Sequence, residues 1–309
     1  MCRYILFLVL SCIAFTDVAI ALCISSKYEN GSLERVTCSN LTDLNTAINY
    51  GGPLVTDMMI FQSQIENIPD LSFLRYSKSL VSLNMYDCGI RDISGSAFNN
   101  LSRMKKLGLS YNKITSVKNQ WFIDLIYLEQ LDLSHNQISS IESGAFEKLR
   151  GLKRLDVREN RFTCLEPAQL APMAGIDSIR FSGNPFTFRC RGTLTLWLRD
   201  MGISYKTEER GEENWLDSIL WLCAADDGKV ADSEVLMKEC VILNLFNQLR
   251  TGLTTAESFP LSIPQECIYA RNALTTCVAT DRRHSREVVT NGHVVRKLLR
   301  QLWESKSTV

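Results

Sequence analysis

The chain of 309 residues has little histidine and no excess of either charge. Its three histidines, His135, His284 and His293, form no metal-ligand spacing. Basic and acidic side chains each number 34, which gives no reason to expect nucleic acid as a partner. No glycine-rich phosphate loop, nucleophile elbow or H-E-x-x-H stretch is present. Beyond residue 21 no apolar run reaches the length of a membrane-spanning helix, so no transmembrane span is expected. The final LLRQLWESKSTV is polar and lacks the apolar tail of a lipid-anchor signal. These absences point away from an enzyme and from any cofactor.

Cysteine, in contrast, is plentiful. Eleven of them suggest an oxidising compartment. Residues 1–21 agree: Arg3 gives a positive start, Tyr4 to Phe15 an apolar run, and Ala19-Ile20-Ala21 a small-residue cleavage site. A secreted, extracellular protein beginning at residue 22 is expected. Asn30, Asn40 and Asn100 each open an N-x-S/T triplet and become glycosylation acceptors on that route.

From Leu80 to Asn184 one pattern recurs as LVSLNMYDCGI, MKKLGLSYNKI, LEQLDLSHNQI, LKRLDVRENRF and IDSIRFSGNPF. Its fourth position falls at Leu83, Leu107, Leu131, Leu155 and Ile179, a period of 24 residues. That period and the form L-x-x-L-x-L-x-x-N/C-x-L belong to the leucine-rich repeat. The alternating apolar residues form a short strand whose face one repeat cannot bury alone, so repeats must stack. Asn112, Asn136, Asn160 and Asn184 hold the ninth position, where an amide can satisfy backbone leaving the strand; Cys88 takes that place as a small buried thiol. Phe98, Phe122 and Phe146, with Leu101, Leu125 and Leu149, form a second column that reads as core and continues to Leu170 and Met173. VTDMMIFQSQIENIP is a degenerate first repeat, with Val55, Met58, Ile60 and Ile65 apolar and Ser63 where asparagine belongs.

Cys23 and Cys38 precede the repeats and read as a disulfide closing a cap over the exposed edge of the first turn. With the repeats and the stretch NPFTFRCRGTLTLWL at 184–198, they resemble the extracellular leucine-rich-repeat family of animals, over about Cys23 to Cys223. In size and layout the chain is similar to the secreted insect leucine-rich immune proteins, whose paired adjacent cysteines and long coiled coil it lacks. The resemblance implies an α/β solenoid: a leucine-rich-repeat horseshoe with a parallel concave sheet, an N-terminal disulfide cap and a mostly helical C-terminal cap and extension. The divisions expected are 1–21 signal, 22–54 cysteine cap, 55–186 repeats and 187–309 C-terminal cap and extension. The family cap opens with C-x-C; here Phe188 replaces its first cysteine. The family-like pairing is Cys190 with Cys223. Cys164, one repeat before Phe188, is the other candidate, and Cys164, Cys190, Cys223, Cys240, Cys267 and Cys277 leave several maps open.

Strand residues facing away from the core form the candidate binding surface. Phe61, Tyr86 and Tyr111, with Met59, make its N-terminal end apolar and aromatic, while Asp132, Arg154, Asp156, Arg158 and Arg180 make the other end charged. Exposed aromatics concentrate binding energy, and arginines can grip a bidentate partner. Two bland readings compete: the cap folds over Met59 and Phe61, or the charges form a solvated lattice between strands. Asp132 and Asp156 are stacked carboxylates, but catalytic pairs need an enclosing site that tunes their acidity, and none is evident.

After Leu198 the period is lost. Residues 205–215 read as an acidic loop, followed by a short helix ending near Gly228 and a longer one from Asp232 or Ser233 to Gly252. The longer one is apolar on more than one face, which suits burial on two sides. Residues 285–304 read as a basic amphipathic helix that meets a partner, an anionic membrane or the protein's own end cap. Two functions remain open. One is recognition of a protein or glycoconjugate on the concave face, in innate immunity or cell-surface signalling. The other is a structural or adhesive matrix protein that forms homo- or hetero-oligomers through its C-terminal region.

Overall fold

The computed structural model describes residues 21–28, 33–205, 212–226 and 228–254. Most of the leader, Asn30, Cys267, Cys277 and the segment 285–304 lie outside the described residues. The chain forms two compact units, one of residues 1–161 and 172–177, the other of 162–171 and 178–309.

The first unit is a stack of repeats. The strands of its main sheet are β1 (Leu22–Tyr28), β2 (Leu33–Ser39), β3 (Val55–Phe61), β4 (Ser82–Tyr86), β5 (Lys106–Gly108), β6 (Gln130–Asp132) and β7 (Arg154–Asp156), side by side in that order. The pair β1–β2 is antiparallel; from β2 onward every neighbouring pair is parallel. The register follows the repeat period, so Leu83, Leu107, Leu131 and Leu155 lie opposite one another. All four are buried, as are Phe98, Phe122 and Phe146 on the return side. Stacking the same apolar position every 24 residues builds one continuous core from units that have none of their own.

The asparagines join successive repeats. Asn136 donates from Nδ2 to the carbonyls of Leu109, Leu133 and Ser134 and accepts on Oδ1 from the Ile114 N–H at 3.1 Å. Asn112 serves both Cys88 and Ile90, and Asn160 serves Ile138. Just ahead of each ninth-position residue, Asp87, Tyr111, His135 and Glu159 have φ between 51° and 58°. This left-handed residue turns the chain out of the strand, and the N–H groups of Asp87, Tyr111 and His135 donate to carbonyls of the next repeat. At the N-terminal end Ser63 does part of the asparagine's work, accepting from the Leu41 N–H and donating to the Phe61 carbonyl. Cys88 is fully buried, with its sulfur 3.4 Å from both the Ile60 and the Tyr86 carbonyls.

The cap is a hairpin beside β3, not a flap over it. Cys23 lies opposite Cys38 across the β1–β2 pair, and the two form a disulfide. Cap residues therefore extend the sheet, and Met59 stays 37% exposed. Helix α1 (Leu44–Tyr50), capped by Asp43, closes the inner side with Leu44, Ala47 and Ile48.

In the second unit, β8 (Ser178–Arg180) pairs in parallel with β9 (Ser204–Tyr205). Helices follow: α2 (Pro167–Leu170), α3 (Phe188–Asp200), α4 (Glu212–Asp226), α5 (Gly228–Asp232) and α6 (Glu234–Thr254). Thr187 caps α3, and Glu234 also accepts the N–H groups of Phe188 and Arg189 at its start. Phe188, Ile219, Leu220, Cys223, Met237 and Val241 form the helical core. Asp217, fully buried, accepts from Arg191 at 2.7 Å.

Three sequence expectations are corrected here. The acidic stretch is helical from Glu212, because α4 continues the apolar pattern of the segment after it. Gly252 does not stop α6, which runs to Thr254. Cys190 pairs with Cys164, and Cys223 pairs with Cys240. The first turn of α3 puts Cys190 with its Cα 5.3 Å from that of Cys164, while Cys223 on α4 has its Cα 5.8 Å from that of Cys240 on α6, both within bonding reach.

Candidate functional site

The outward face of the sheet in the first unit is organised as rows that run across the strands. One row is Leu22, Ser39, Phe61 and Tyr86. The next is Ile24, Thr37, Met59, Asn84, Gly108, Asp132 and Asp156. The third is Ser26, Arg35, Asp57, Ser82, Lys106, Gln130 and Arg154. Period-2 alternation along each strand sends these side chains outward and the leucines between them inward.

The N-terminal part of this face is apolar and open. Leu22 and Ile24 are 57% and 53% exposed, Tyr86 is 38% and Tyr111 is 45% exposed, and Phe61 is half-buried. Tyr86 and Tyr111 pack with ring centroids 4.8 Å apart, and Tyr111 stacks on His135 at 4.0 Å. The three rings run along the edge where the strands end. The Asn84 side chain crosses Gly108, with its Cγ 3.1 Å from where a Cβ would sit, so any larger residue at Gly108 displaces that amide. Beside this patch, Tyr28 donates to Asp57, and Arg35 lies over the Tyr28 ring at 5.1 Å. Burial, reinforced by that hydrogen bond to Asp57, raises the Tyr28 phenol above its ordinary value.

The charged part is bound up internally. Asp132 accepts from both the N–H and the hydroxyl of Ser134. Asp156 accepts from the Arg158 backbone N–H and from its guanidinium, with Nη2 2.8 Å from Oδ2. Each aspartate thus fixes the bend two residues after it. The structure places Asp132 and Asp156 opposite one another, but as turn-forming acceptors already holding donors. Arg154 is exposed on β7, and Arg180 is half-buried on β8 in the second unit. Ser110 and Ser134, which alternation alone puts on this face, are buried, because the left-handed residue after each one turns the chain inward. Glu129 sits between Lys105 at 3.1 Å and Lys153 at 3.8 Å, and the hydrogen bond from Lys105 lowers its carboxyl below the ordinary value.

The sequence pattern brought out Phe61, Tyr86, Tyr111 and Met59 but not Leu22, Ile24 or the part played by His135. The signals were present: period-2 alternation in LCISSKY, and the 24-residue spacing from Tyr111 to His135. Asn40 is half-buried and Asn100 is exposed on a return segment. Among the described residues the group with metal-ligand proximity is Cys164, Glu166 and Cys190, and its two sulfurs are bonded to each other. No helix among the described residues is long and apolar enough to cross a membrane.

Residues 78–138 and 126–186 match the family model described as leucine rich repeat. A solved structure titled "Crystal structure of TLR13-ssRNA13 complex" is 28% identical, with a TM-score of 0.45, over 53% of this chain and 23% of that one. The chain therefore spans less than a quarter of the length of that protein. No curated protein matches significantly. The protein carries leucine-rich repeats across residues 78–186, and in the first unit those from β4 to β7 are stacked in register on one largely parallel sheet.

Proposed function

We propose that this is a secreted binding protein that engages an extracellular protein through the N-terminal part of its outward sheet face. The observation that carries this is the open apolar patch: Leu22, Ile24, Met59, Tyr86 and Tyr111 are all exposed at the N-terminal part of one face. An apolar patch rimmed by polar residues is how a protein surface reads when a partner covers it. The charged end contributes less, because Asp156 and Arg158 already satisfy each other and displacing that pair carries a desolvation penalty.

A protein fits this surface better than a sugar does. Sugar rings stack on an open aromatic face, whereas one face of Tyr111 and one of His135 are taken up by each other. The edges and the tyrosine hydroxyls remain for a partner. Three disulfides and the leader-like first 21 residues support secretion, and the exposed Asn100 triplet supports glycosylation there. The resemblance of the repeats and cap to extracellular leucine-rich-repeat proteins supports a role for this binding in innate immunity or cell-surface signalling.

The test is cross-linking mass spectrometry on the protein captured from its native extracellular fluid. Links from Lys106, in the row beside the patch, to a different protein are expected for the wild type. A Met59→Asp, Tyr86→Ser double variant that is folded should lose them, while Arg154→Ala keeps them. Unchanged capture by the double variant would place the binding surface elsewhere.

A further inference from the structure

One return segment of the repeats is apolar where its neighbours are polar. Ile123, Ile126 and Tyr127 are 46%, 48% and 62% exposed. The same three positions hold Asn99, Ser102 and Arg103 one repeat earlier, and Glu147, Arg150 and Gly151 one repeat later. The repeat architecture therefore does not call for apolar side chains there. Tyr127 stands on the tight turn closed by the Leu128 N–H on the Leu125 carbonyl at 3.1 Å. Unlike Tyr111, it has no stacked ring among the described residues.

Beside this patch is Asn100, which opens the triplet Asn100-Leu101-Ser102. Asn100 is exposed, and its N–H donates to Oδ2 of Asp124 at 2.7 Å. Ile123 directly precedes Asp124, and Tyr127 lies three residues beyond it, at most about 11 Å of chain. The acceptor asparagine thus abuts the one repeat of the three that carries the apolar set.

We propose that Ile123, Ile126 and Tyr127 are the seat of an N-linked carbohydrate on Asn100, whose first sugar lies across them. An N-acetylglucosamine ring has an apolar C–H face and an acetyl methyl group. The C–H face suits the open ring of Tyr127, and the methyl suits the isoleucines. Covering the patch removes apolar surface from water, which a chain attached one repeat away achieves without losing the freedom a free partner would lose. The inference rests on the secretion and Asn100 glycosylation read above, and it is independent of the outward sheet face.

Hydroxyl-radical footprinting of the secreted protein, read by mass spectrometry, tests it and also shows whether the peptide holding Asn100 carries sugar. A sugar over one of the two ring faces should cut labelling of Tyr127 to about half of that in Ser102→Ala, which lacks the acceptor triplet. Ser102 is changed because it is exposed, whereas Asn100 has φ 68°, a conformation few other side chains tolerate. Enzymatic trimming to the first sugar should keep the protection, and complete removal should lift it, with Tyr86 labelling unchanged throughout. A peptide without sugar would overturn the glycosylation reading and this proposal with it. Sugar on Asn100 with Tyr127 labelled equally in both proteins would overturn this proposal alone. Protection lost on trimming would also overturn it, because the first sugar then does not touch the ring. So would protection in Ser102→Ala that disappears on dilution, which places a second copy on the patch.

Discussion

The imidazole of His135 lies nearly parallel to the ring of Tyr111, with centroids 4.0 Å apart and planes 16° from parallel. Both residues have positive φ, a conformation that costs a side-chain-bearing residue about 1 kcal/mol or more. The repeat holds them there because each N–H bonds to a carbonyl of the next repeat.

Tyr111→Gly separates stability from binding. Glycine adopts the left-handed turn freely, which offsets the lost ring packing, so stability in urea should stay within about 1 kcal/mol of wild type. Capture of the proposed extracellular partner should weaken by roughly tenfold or more, as expected where an exposed aromatic anchors a contact. Unaltered capture would mean the ring column is structural only.

Asn136→Ala should be among the costliest single changes in the repeats. It strips a donor from the carbonyls of Leu109, Leu133 and Ser134 and leaves the Ile114 N–H without its acceptor. Burying such groups unsatisfied costs about 2–4 kcal/mol in total, measurable as a fall in the urea midpoint. Cys88→Ala, at the same repeat position, should cost only about 1 kcal/mol, since the thiol gives up long contacts and a small volume.

The Cys88 thiol should resist alkylation in the native protein and react only after denaturation. Burial, aided by nearby Asp87, pushes its pKa from 9.0 up to about 12. Because the folded value is the higher one, the neutral thiol favours the folded state fully below pH 9, and that contribution is lost as pH rises toward about 12. Thermal unfolding measured between those limits should show wild type losing stability faster than Cys88→Ala. Rapid native alkylation at pH 8 would contradict the burial.

Asp156→Ala should lower stability by about 1–3 kcal/mol, because the half-buried Arg158 guanidinium loses the carboxylate that holds it. Arg154→Ala on the exposed side of the same strand should stay within about 0.5 kcal/mol. Equal effects in chemical denaturation would mean that the Asp156–Arg158 pair contributes no more than an ordinary surface charge.

The stacked repeats were legible in the sequence because their contacts are periodic. Leu107 meets Leu131, and Asn136 meets Ile114, at fixed separations near 24, so pattern and register are the same information. The Cys23–Cys38 bridge was legible too, since the two cysteines close a short loop at the start of the repeats. Elsewhere the partner of a residue is chosen by how elements dock, and spacing carries no record of it. Cys190 went to Cys164 and Cys223 to Cys240 because of where α3, α4 and α6 lie. Leu22 and Ile24 joined the open apolar face because the cap hairpin pairs with β3 at its side. Asp156 became a partner of Arg158 through a bend that only the folded backbone makes. Periodic burial is written along the chain and determined the solenoid, whereas the open apolar surface of Leu22, Ile24, Met59, Tyr86 and Tyr111 was decided by how the cap hairpin and the strands pair in the tertiary fold.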